Sequence, residues 1–511
     1  MNDYSKKLAS LLTGKLLKYK RKVGCRQTFS YPITILFIIA SFLLFFCSSI
    51  RHILFQSTAF ELGIYDQVAY LISQGKPPIS SFLEIHHLGN HAAWAMYPVS
   101  LFYWMYPSVY WLLLIQAVCL ALGVYPTWSL ARHAGLNQRL SMAVVIVYLL
   151  YPLIFNINLF DFHPEVMAVA ALLAAILAAK LDKMIGFCLA IIWVLGCKDA
   201  LALTVAAMGF WLFFFEKKRK YGAIALFLGV SWFLIVVQGI IPYYKSGEGP
   251  GGVGRYGYLG NSVYEIILNL FLKPHLVLGR VFSIKTLEYL LLLFSPIILW
   301  LSPQRLAPLV VAIPVLTKNI LSNIDAQRDL IHQYSLPIVP FLMLAVIYCL
   351  ADEKMCLGRT LLTGFYSVPR FSKYQSKKIL EYLIIAWAFI GFIALAKFGY
   401  FGSRYLSQLD TWTANREAIH RITSKGNVLT IANLAPHLSH RQTIKLTNAD
   451  VPPKDLTEFD YVLLNLRYPG WKSHSEFAQS LVEQLNQLPQ FKLSYSRDDV
   501  YLFEKIEKKL N

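Results

Sequence analysis

Long apolar segments separated by short polar ones run through roughly the first 400 of the 511 residues. Most of these segments approach the ~20 residues that a helix needs to cross the hydrocarbon core of a bilayer. The pattern predicts a polytopic α-helical membrane protein with about eleven spans. The predicted spans are Ile33–Ile50, Val109–Leu130, Leu140–Asn158, Val166–Ala179, Met184–Gly196, Leu201–Phe215, Tyr221–Ile241, Leu287–Leu301, Leu306–Leu321, Ser335–Leu350 and Ile379–Phe398.

Composition supports this fold class. Hydrophobic residues make up 56% of the chain and charged residues only 15%, whereas soluble domains average about 25% charged residues. The net charge of +19 could suit a nucleic acid, but the basic residues cluster in short segments between apolar runs, which is how membrane topology is encoded. We therefore expect the lipid bilayer, and no nucleic acid, as a partner. The seven cysteines have no metal-ligand spacing.

The basic segments also predict sidedness. Lys6–Arg26 carries eight Lys or Arg residues, which indicates a cytoplasmic tail over residues 1–30 and a location in the plasma (inner) membrane. Later basic loops are Arg132–Arg139, Lys180–Lys183, Glu216–Lys220 and Lys354–Lys378. These loops fall on the same side only if Ala92–Tyr106 does not span. That segment is short, contains Pro98 and is rich in aromatic residues, so we expect an interfacial helix on the outer surface.

The chain changes character after the transmembrane domain, which we assign to residues 31–400. Polar residues become more frequent, and an amphipathic helix is predicted over Ser475–Leu488. Short strand-like runs occur at Val428–Ala432, Tyr461–Asn465, Lys492–Ser496 and Val500–Glu504. Residues 401–511 are therefore predicted to form a small α/β domain, and the topology places it outside the cytoplasm.

With this topology, the unusual polar residues collect on the outer side, while the inner side carries mostly Lys and Arg. Carboxylates and imidazoles beside a bilayer are costly to dehydrate, so they indicate a water-facing cavity. The first outer loop, Phe60–His91, forms one wall of this predicted site. The outer set is Glu61, Asp66, Glu84, His86, His87, Asn90, His91, Asp161, His163, Glu165, Lys198, Asp199, Arg255, Tyr256, Asp325, Arg328, Asp329, His332 and Tyr334.

Two segments supply the candidate catalytic carboxylates. Asp66 lies between apolar neighbours and is either a general base or the N-cap of a helix that begins near Gln67. The segment Asp161–Glu165 (DFHPE) places three ionisable groups at the start of a helix. Asp161 could cap that helix, and His163 and Glu165 could be plain interfacial residues. Joined by Asp66, the same three groups would suit a divalent metal ion, so a metal cofactor stays open.

Cationic and aromatic residues of the outer set are candidates for binding a substrate anion. Lys198, Arg255 and Arg328 could bind a phosphate, although Lys198 could instead pair with its neighbour Asp199. The candidate substrate-binding residues are His91, His163, Lys198, Asp199, Arg255, Arg328, His332 and Tyr334.

Several motifs resemble those of the domain of unknown function 2079 family, which consists of predicted prokaryotic membrane proteins. They are ELGIYDQ (Glu61–Gln67), LGNH (Leu88–His91), DFHPE (Asp161–Glu165), KDA (Lys198–Ala200), HQYSLPIVP (His332–Pro340), APHLSHR (Ala435–Arg441) and FDYVLLN (Phe459–Asn465). The resemblance extends from about Thr58 to Phe503. This chain departs from the family pattern at three positions: Glu61 stands where Asp is expected, Asn90 where the family usually has Asp before His, and Ala200 where an acidic residue often follows Lys-Asp. The change at Asn90 weakens a metal-binding role there.

That family in turn resembles the GT-C glycosyltransferases, which transfer a sugar from a polyprenyl-phosphate carrier to an acceptor. The resemblance implies a GT-C-like fold, with a large first outer loop followed by juxtamembrane helices. By position, Asp66 matches the first-loop carboxylate, and Asp161 or Glu165 matches a second acidic motif. Asp66 would then take a proton from the acceptor hydroxyl while Lys198, Arg255 or Arg328 binds the phosphate.

Two other classes of function stay open at this stage: a membrane transporter and a non-catalytic lipid-binding membrane protein. A transporter would place charges at the centres of its helices and often contains inverted repeats. The predicted spans have few central charges and show no repeat, which favours the enzyme. The sequence does not indicate the sugar, the acceptor, the carrier lipid or the oligomeric state.

Overall fold

The computed structural model describes residues 31–352, 358 and 373–506. The predicted cytoplasmic tail, residues 1–30, lies outside the described residues, as does most of the predicted basic loop Lys354–Lys378. Within the described residues, a large helical part comes first and a smaller part with a β-sheet follows.

The α-helices are α1 Tyr31–Ile53, α2 Ile64–Ser73, α3 His87–His91, α4 Met96–Met105, α5 Tyr110–Leu122, α6 Val124–His133, α7 Gln138–Leu149, α8 Pro152–Leu159, α9 Val166–Lys180, α10 Met184–Cys197, α11 Leu201–Phe214, α12 Arg219–Ile235, α13 Ile241–Tyr244, α14 Val263–Leu272, α15 Pro274–Val281, α16 Ile284–Phe294, α17 Ile313–Leu321, α18 Val339–Ala351, α19 Lys373–Leu395, α20 Trp412–Arg421 and α21 Ser475–Gln487. Two π-helical turns, Ala59–Gly63 and Val236–Ile240, precede α2 and α13. The 3-10 segments are Gly251–Tyr256, Ile298–Trp300, Pro303–Arg305, Ala307–Ala312, Asp325–Arg328, Gln333–Ile338, Lys397–Gly402, Arg404–Leu406, Leu409–Thr411, Ala435–His437 and Leu456–Glu458.

Within the described residues, five helices are long and apolar enough to cross a membrane, or six if one bent pair counts as a single span. The five are Tyr31–Ile53, Tyr110–His133, Gln138–Leu159, Arg219–Tyr244 and Asp325–Ala351, and the bent pair is Ile379–Leu395 with Lys397–Leu406. The prediction of about eleven spans also counted shorter helices, such as α10, which has 14 residues and falls short of the ~20 needed. The number of spans therefore stays a prediction.

Proline explains one difference between the predicted and the observed helices. The predicted span Leu287–Leu301 is not continuous, because α16 ends at Phe294. Pro296 follows two residues later, and proline cannot supply the backbone N–H that a continuing helix needs. A 3-10 turn, Ile298–Trp300, completes the segment.

The segment predicted to be interfacial contains α4, which has only 10 residues and is too short to cross the bilayer. It exposes Leu101, Trp104 and Met105, while Tyr103 is fully buried. Whether this helix lies along a membrane surface stays a prediction.

The loops fall into two groups according to their contacts. In one group, ion pairs join Lys180 to Glu216, Lys218 to Asp182 and Arg305 to Asp352. In the other, Arg51 pairs with Asp161, the Asp199 amide donates to the His91 carbonyl at 3.0 Å, and the Asn323 amide donates to the Arg255 carbonyl at 2.9 Å. Loops predicted to share a side therefore meet in the fold.

The C-terminal part contains a five-stranded sheet with strand order β4-β3-β5-β7-β6. The strands are β3 Val428–Thr430, β4 Ile444–Leu446, β5 Tyr461–Asn465, β6 Phe491–Arg497 and β7 Val500–Lys505. Strand β3 runs parallel to β4 and β5, whereas β7 runs antiparallel to β5 and β6. Four of these strands and α21 match predicted elements, and β4 was not predicted. A two-stranded hairpin in the first loop, β1 Ile79–Ser80 with β2 Ile85–His86, was also not predicted.

The sheet is covered on both faces. Leu481, Val482 and Leu485 of α21 pack in one core, and Ala414 and Ala418 of α20 pack in the other. The core beneath α20 also receives apolar side chains from the first outer loop, namely Phe55, Ala59 and Phe82. The first loop and the C-terminal part thus share a hydrophobic core.

Three glycines allow α11 and α12 to pack closely, as small residues do in membrane helix pairs. A Cβ added at Gly209 would lie 2.3 Å from the Leu226 amide nitrogen, and one at Gly229 would lie 2.6 Å from the Ala206 amide nitrogen. Both distances are far below van der Waals contact. A Cβ at Gly222 would meet Phe213 in the same way.

We expect Gly229→Ala to lower the free energy of unfolding by about 1–3 kcal/mol, because the added methyl group forces the two helix backbones apart. The matched control is Gly239→Ala in the π-helical turn after α12, where the added Cβ meets no atom of another element within 4 Å among the described residues. Both variants add one methyl group to a glycine of a helical segment, and only at Gly229 does that group meet another helix. The measurement is the thermal unfolding midpoint of the purified protein in detergent. Equal midpoints for the two variants would contradict the close packing described.

Candidate functional site

The segment Ala59–Ser73 of the first outer loop presents two carboxylates toward different neighbours. It begins with the π-helical turn that contains Glu61 and continues as α2, which contains Asp66. The Glu61 carboxylate lies 2.5 Å from Nε2 of His163, and its side chain is 27% exposed. π-Helical turns are frequent at functional sites. Glu61 is therefore a carboxylate within reach of both the helical domain and solvent.

His163 connects Glu61 to further charged groups, which we call the charged centre: Glu61, His91, His163, Glu165, Lys198 and Asp199. Glu165 forms a buried ion pair with Lys198. Nδ1 of His91 lies 3.2 Å from the Asp199 carboxylate. The loops that carry DFHPE, KDA and LGNH therefore meet at one place, as sequence analysis predicted for the outer set.

The pKa values in the charged centre are shifted by burial and by neighbouring charges. Burial raises the pKa of Glu165, but the adjacent Lys198 ammonium outweighs it and the net shift is downward. Burial lowers the pKa of Lys198, and Glu165 reverses this shift. For His163, burial lowers the pKa, but the Glu61 carboxylate raises the pKa by more, so the net shift is upward. Glu165 and Lys198 are thus both charged at neutral pH.

A small cavity of about 20 Å³ borders the charged centre, and Glu165, Lys198, Lys318, Gln333 and Tyr334 are among its lining residues. This volume is enough for about one water molecule. One carboxylate oxygen of Glu165, Oε2, is buried there without a hydrogen-bond partner. A buried acceptor without a partner is costly, so it marks a position where a ligand group or water can bind.

Two cations near Tyr334 are not neutralised by carboxylates. The Arg255 guanidinium lies 5.3 Å from the centroid of the Tyr334 ring, and the Lys318 ammonium lies 6.0 Å from it. Among the ion pairs of the described residues, neither cation has a carboxylate partner. Cations that no carboxylate neutralises can bind an anion. Both an arginine and a lysine side chain bind phosphate well.

Asp161 makes contacts that stabilise the fold. It pairs with Arg51 at the end of α1 and accepts a hydrogen bond of 3.0 Å from the Thr58 amide. Its φ of +85° lies in the left-handed region, which is strained for a residue with a side chain. The N-cap of α9 is Glu165 and has no side-chain cap bond, so the prediction that Asp161 caps this helix is wrong. Asp161 instead fixes the end of the first span against this loop.

Asp66 lies in a different environment from the charged centre. Its carboxylate accepts hydrogen bonds from the Tyr103 hydroxyl at 2.6 Å and from the Ser439 hydroxyl, and Nε2 of His440 lies 3.1 Å away. The residue is only 1% exposed. Because α2 begins at Ile64, the alternative that Asp66 caps a helix starting near Gln67 is wrong. Its predicted catalytic role stays a prediction.

The contacts of Asp66 belong to a larger junction between the first loop and the C-terminal part. The Gln67 side-chain amide donates to the Arg441 carbonyl at 3.2 Å, and the Ile444 amide donates to the Ser81 hydroxyl at 3.0 Å. The His52 and His437 rings stack with centroids 3.9 Å apart. Burial lowers the pKa of His437 to about 4, so it is neutral at physiological pH. The motifs ELGIYDQ and APHLSHR, about 370 residues apart, thus join in one junction.

Other predicted site residues have partners of their own. Arg328 pairs with Asp325 at 2.6 Å, and His332 pairs with Asp329 at 2.7 Å. Lys198 and Asp199 do not pair with each other, because their partners are Glu165 and His91. The alternative of a Lys198–Asp199 pair is therefore wrong.

The metal-ligand set that sequence analysis left open is not assembled. Asp66 is bonded within the junction and Asp161 to Arg51, whereas His163 and Glu165 belong to the charged centre. Among the residues that the structure describes, no group of three or more His, Cys, Asp or Glu side chains is arranged to hold a metal ion.

Sequence analysis did not select two residues that the structure brings to the site. Glu61 was placed in the outer set and noted as a departure from the family pattern, but it was not a candidate catalytic or binding residue, and Lys318 was counted as part of an apolar span. A signal for Lys318 was present, because a single lysine within an otherwise apolar membrane segment is costly unless it serves a function. Nothing local in the sequence distinguished Glu61 from Asp66.

We expect Asp66→Ala to destabilise the junction by about 1–3 kcal/mol, because it leaves the buried Tyr103 and Ser439 hydroxyls without their acceptor. The measurement is the rate at which a protease cleaves between the helical and C-terminal parts of the purified protein. The control is Glu84→Ala, a carboxylate of the same loop that is 73% exposed and whose 3.6 Å pair with Lys445 is an exposed ion pair of little energetic weight. If Asp66→Ala is as resistant to cleavage as the control, Asp66 does not stabilise the junction.

The fold is similar to that of proteins of known structure. The chain is similar to two crystal structures of ArnT from Cupriavidus metallidurans, one bound to undecaprenyl phosphate and one in the apo state. The TM-scores are 0.54 and 0.53, each with 11% sequence identity over 93% of this chain and 98% of the ArnT chain. At this identity the likeness shows the fold alone. The predicted fold class is confirmed at this coarser level, as a mostly helical, ArnT-like fold.

Comparison by sequence identifies the family. No curated protein matches the chain. The family described as "Predicted membrane protein (DUF2079)" matches residues 51–502, which include the first outer loop, the charged centre and almost the whole C-terminal part. The chain therefore belongs to the DUF2079 family of predicted membrane proteins, as its motifs predicted.

Proposed function

We propose that this protein is a membrane glycosyltransferase that transfers a sugar from a polyprenyl-phosphate carrier to an acceptor at the outer face of the membrane. The observation that carries the proposal is the pair of cations Arg255 and Lys318, which lie beside the charged centre and have no carboxylate partner in the part of the chain that the structure describes. The ArnT-like fold supports it, because one of the ArnT structures is bound to undecaprenyl phosphate. The proposed location is the plasma membrane, with the C-terminal part outside the cytoplasm.

In this proposal, Lys318 and Arg255 bind the phosphate of the donor. As the bond between the anomeric carbon and the phosphate breaks, negative charge develops on the phosphate oxygens, and fixed cations stabilise it. Lys198 is already paired with Glu165, so we assign it a positioning role. Arg328 is likewise paired with Asp325. Polyprenyl phosphate is a good leaving group, so the site needs anion binding more than a strong general acid.

We assign the general base to Glu61. It is partly exposed and belongs to the charged centre, so an acceptor hydroxyl can reach it, and a carboxylate can take the proton of that hydroxyl. Asp66 matches the first-loop carboxylate of the GT-C enzymes by position, but its carboxylate is buried in the junction. Glu61 lies five positions earlier and faces the charged centre instead. We therefore propose that Asp66 holds the helix that presents Glu61.

We expect Lys318→Ala to reduce donor cleavage by about 10²–10³-fold, as the loss of one group that stabilises developing negative charge does in other enzymes. The assay uses the purified protein in proteoliposomes with a panel of radiolabelled polyprenyl-phosphate sugars and measures the polyprenyl phosphate released. Lys318→Arg keeps the charge and should retain part of the activity. The control is Lys285→Ala, which removes a lysine that is 57% exposed and pairs with Asp325.

A second prediction separates the two candidate bases. Glu61→Gln should lower turnover by about 10²–10⁴-fold, the usual contribution of a general base, while the variant still binds the donor. Asp66→Asn keeps one acceptor oxygen, and its amide NH2 can donate to a neighbouring hydroxyl oxygen, so this variant should retain more activity in the same assay. If Asp66→Asn abolishes turnover in a stable protein and Glu61→Gln does not, the base is Asp66.

The wild-type protein itself tests the class of function. If it binds the labelled lipids but cleaves none of the panel, with or without an envelope extract as acceptor, the lipid-binding alternative replaces the enzyme. If the protein moves the labelled lipid or sugar across the bilayer without cleavage, the transporter alternative replaces the enzyme.

A further inference from the structure

Trp471 is a large aromatic residue held in solvent by a tight turn. It lies between β5 and α21, and 54% of it is exposed. The turn spans Gly470–Ser473, closed by a 3.3 Å hydrogen bond from the Ser473 amide to the Gly470 carbonyl. A tryptophan outside the membrane is usually buried to a large extent, so an exposed one on an ordered turn needs an explanation.

The turn is strained and fixed in place. Gly470 has a φ of +88° and Lys472 a φ of +56°, both in the left-handed region, and Lys472 adopts it despite its side chain. A Cβ at Gly470 would lie 3.1 Å from Cβ of Ile431, so the turn packs tightly on the segment after β3. The Ala449 amide also donates to the Lys472 carbonyl at 2.8 Å. Strain of this kind persists where the surroundings enforce it, often at binding sites.

The turn places Trp471 next to the residue that precedes Glu61. The ring of Phe60 meets the ring of Trp471 edge to face, with centroids 4.9 Å apart. Phe60 and Glu61 are consecutive residues of one π-helical turn. A hydrogen bond of 3.0 Å from the Ala59 amide to the Ala432 carbonyl fixes this turn to the segment on which Gly470 packs. Trp471 and the proposed base are thus held in one assembly.

Polar groups surround the exposed ring. The Lys472 ammonium lies 5.0 Å from the centroid of the Trp471 ring, and it pairs with the Asp450 carboxylate at 3.0 Å. An exposed aromatic ring with charged, hydrogen-bonding groups beside it is suited to a ligand that is apolar on one face and polar at its rim. A sugar ring has this character, since its C–H groups form an apolar face and its hydroxyl groups project from the edge.

We propose that Trp471 and Phe60 form a subsite for the acceptor, and that the acceptor carries a saccharide ring which stacks on Trp471. This inference rests on the proposed function and specifies its acceptor class. The acceptor hydroxyl gives its proton to Glu61 and forms the new bond to the anomeric carbon. The bond from that carbon to the phosphate oxygen breaks, and polyprenyl phosphate leaves with the bonding electrons.

The experiment measures two quantities in proteoliposomes with a radiolabelled polyprenyl-phosphate sugar: cleavage of the donor by water and transfer of label to an acceptor. The acceptors are the lipid fraction and the soluble glycan fraction of a cell-envelope extract, tested separately. We expect Trp471→Ala to raise the KM for the acceptor about tenfold and to change cleavage by water less than about twofold. Trp471→Phe should restore most of the acceptor affinity. The fraction that accepts label distinguishes a glycolipid from a free glycan.

The matched control is Leu493→Ala, which truncates a large apolar residue of the five-stranded sheet, 46% exposed on β6. It should change neither quantity. An unchanged KM for the acceptor in Trp471→Ala would overturn the subsite while leaving the proposed function intact. The subsite is also overturned, with the proposed function intact, if Trp471→Ala lowers cleavage and transfer equally. It is likewise overturned if the wild type cleaves the donor but labels neither fraction. If the wild type cleaves no donor, the proposed function itself fails.

Discussion

The structure depends on one helical segment that charged contacts hold from two sides. Glu61 contacts His163 of the helical domain, and Asp66, five residues later, contacts Ser439 and His440 of the C-terminal part. A buried carboxylate is stable only when hydrogen bonds or opposite charges compensate the loss of water. Each of these contacts therefore fixes the orientation of the segment. The position of the proposed base is set by both domains together.

The same electrostatic reasoning identifies the cations that are available to bind a ligand. Most charged side chains near the charged centre have a partner of opposite charge, including Lys198, Arg328 and Asp161. Arg255 and Lys318 contact the Tyr334 ring instead of a carboxylate. Within the described residues, they are the cations of this region that an anion can approach without displacing a salt bridge. A phosphate-bearing lipid would supply the missing charge, which links the electrostatics to the ArnT-like fold.

Much of the fold was predictable because it follows from local patterns. The short strand-like run Tyr461–Asn465 and the amphipathic pattern near Ser475 correspond to β5 and α21. The charge rule excluded α4 from the spans. Short helices could not be counted reliably, because a 14-residue apolar run has the same composition whether it crosses the membrane or not. Strand β4 has only three residues and gives too little pattern to detect.

The site was predictable only in part, because its decisive contacts are distant in sequence. Sequence analysis grouped His91, His163, Glu165, Lys198 and Asp199, and the structure brings these residues together. It assigned the base to Asp66, whose partner Ser439 lies 373 positions away, and no local pattern reveals which of two nearby carboxylates faces another domain. Lys318 was hidden in an apolar segment, where helical periodicity indicates only that a helix forms.

The most direct test of the account is a structure of the full-length protein in lipid with polyprenyl phosphate bound. We expect the phosphate to contact the Lys318 ammonium and the Arg255 guanidinium beside Tyr334, with the lipid chain leaving between the helices and the Asp66 junction unchanged. A phosphate bound at Asp66 and His440 instead, with Lys318 and Arg255 free of it, would contradict the account.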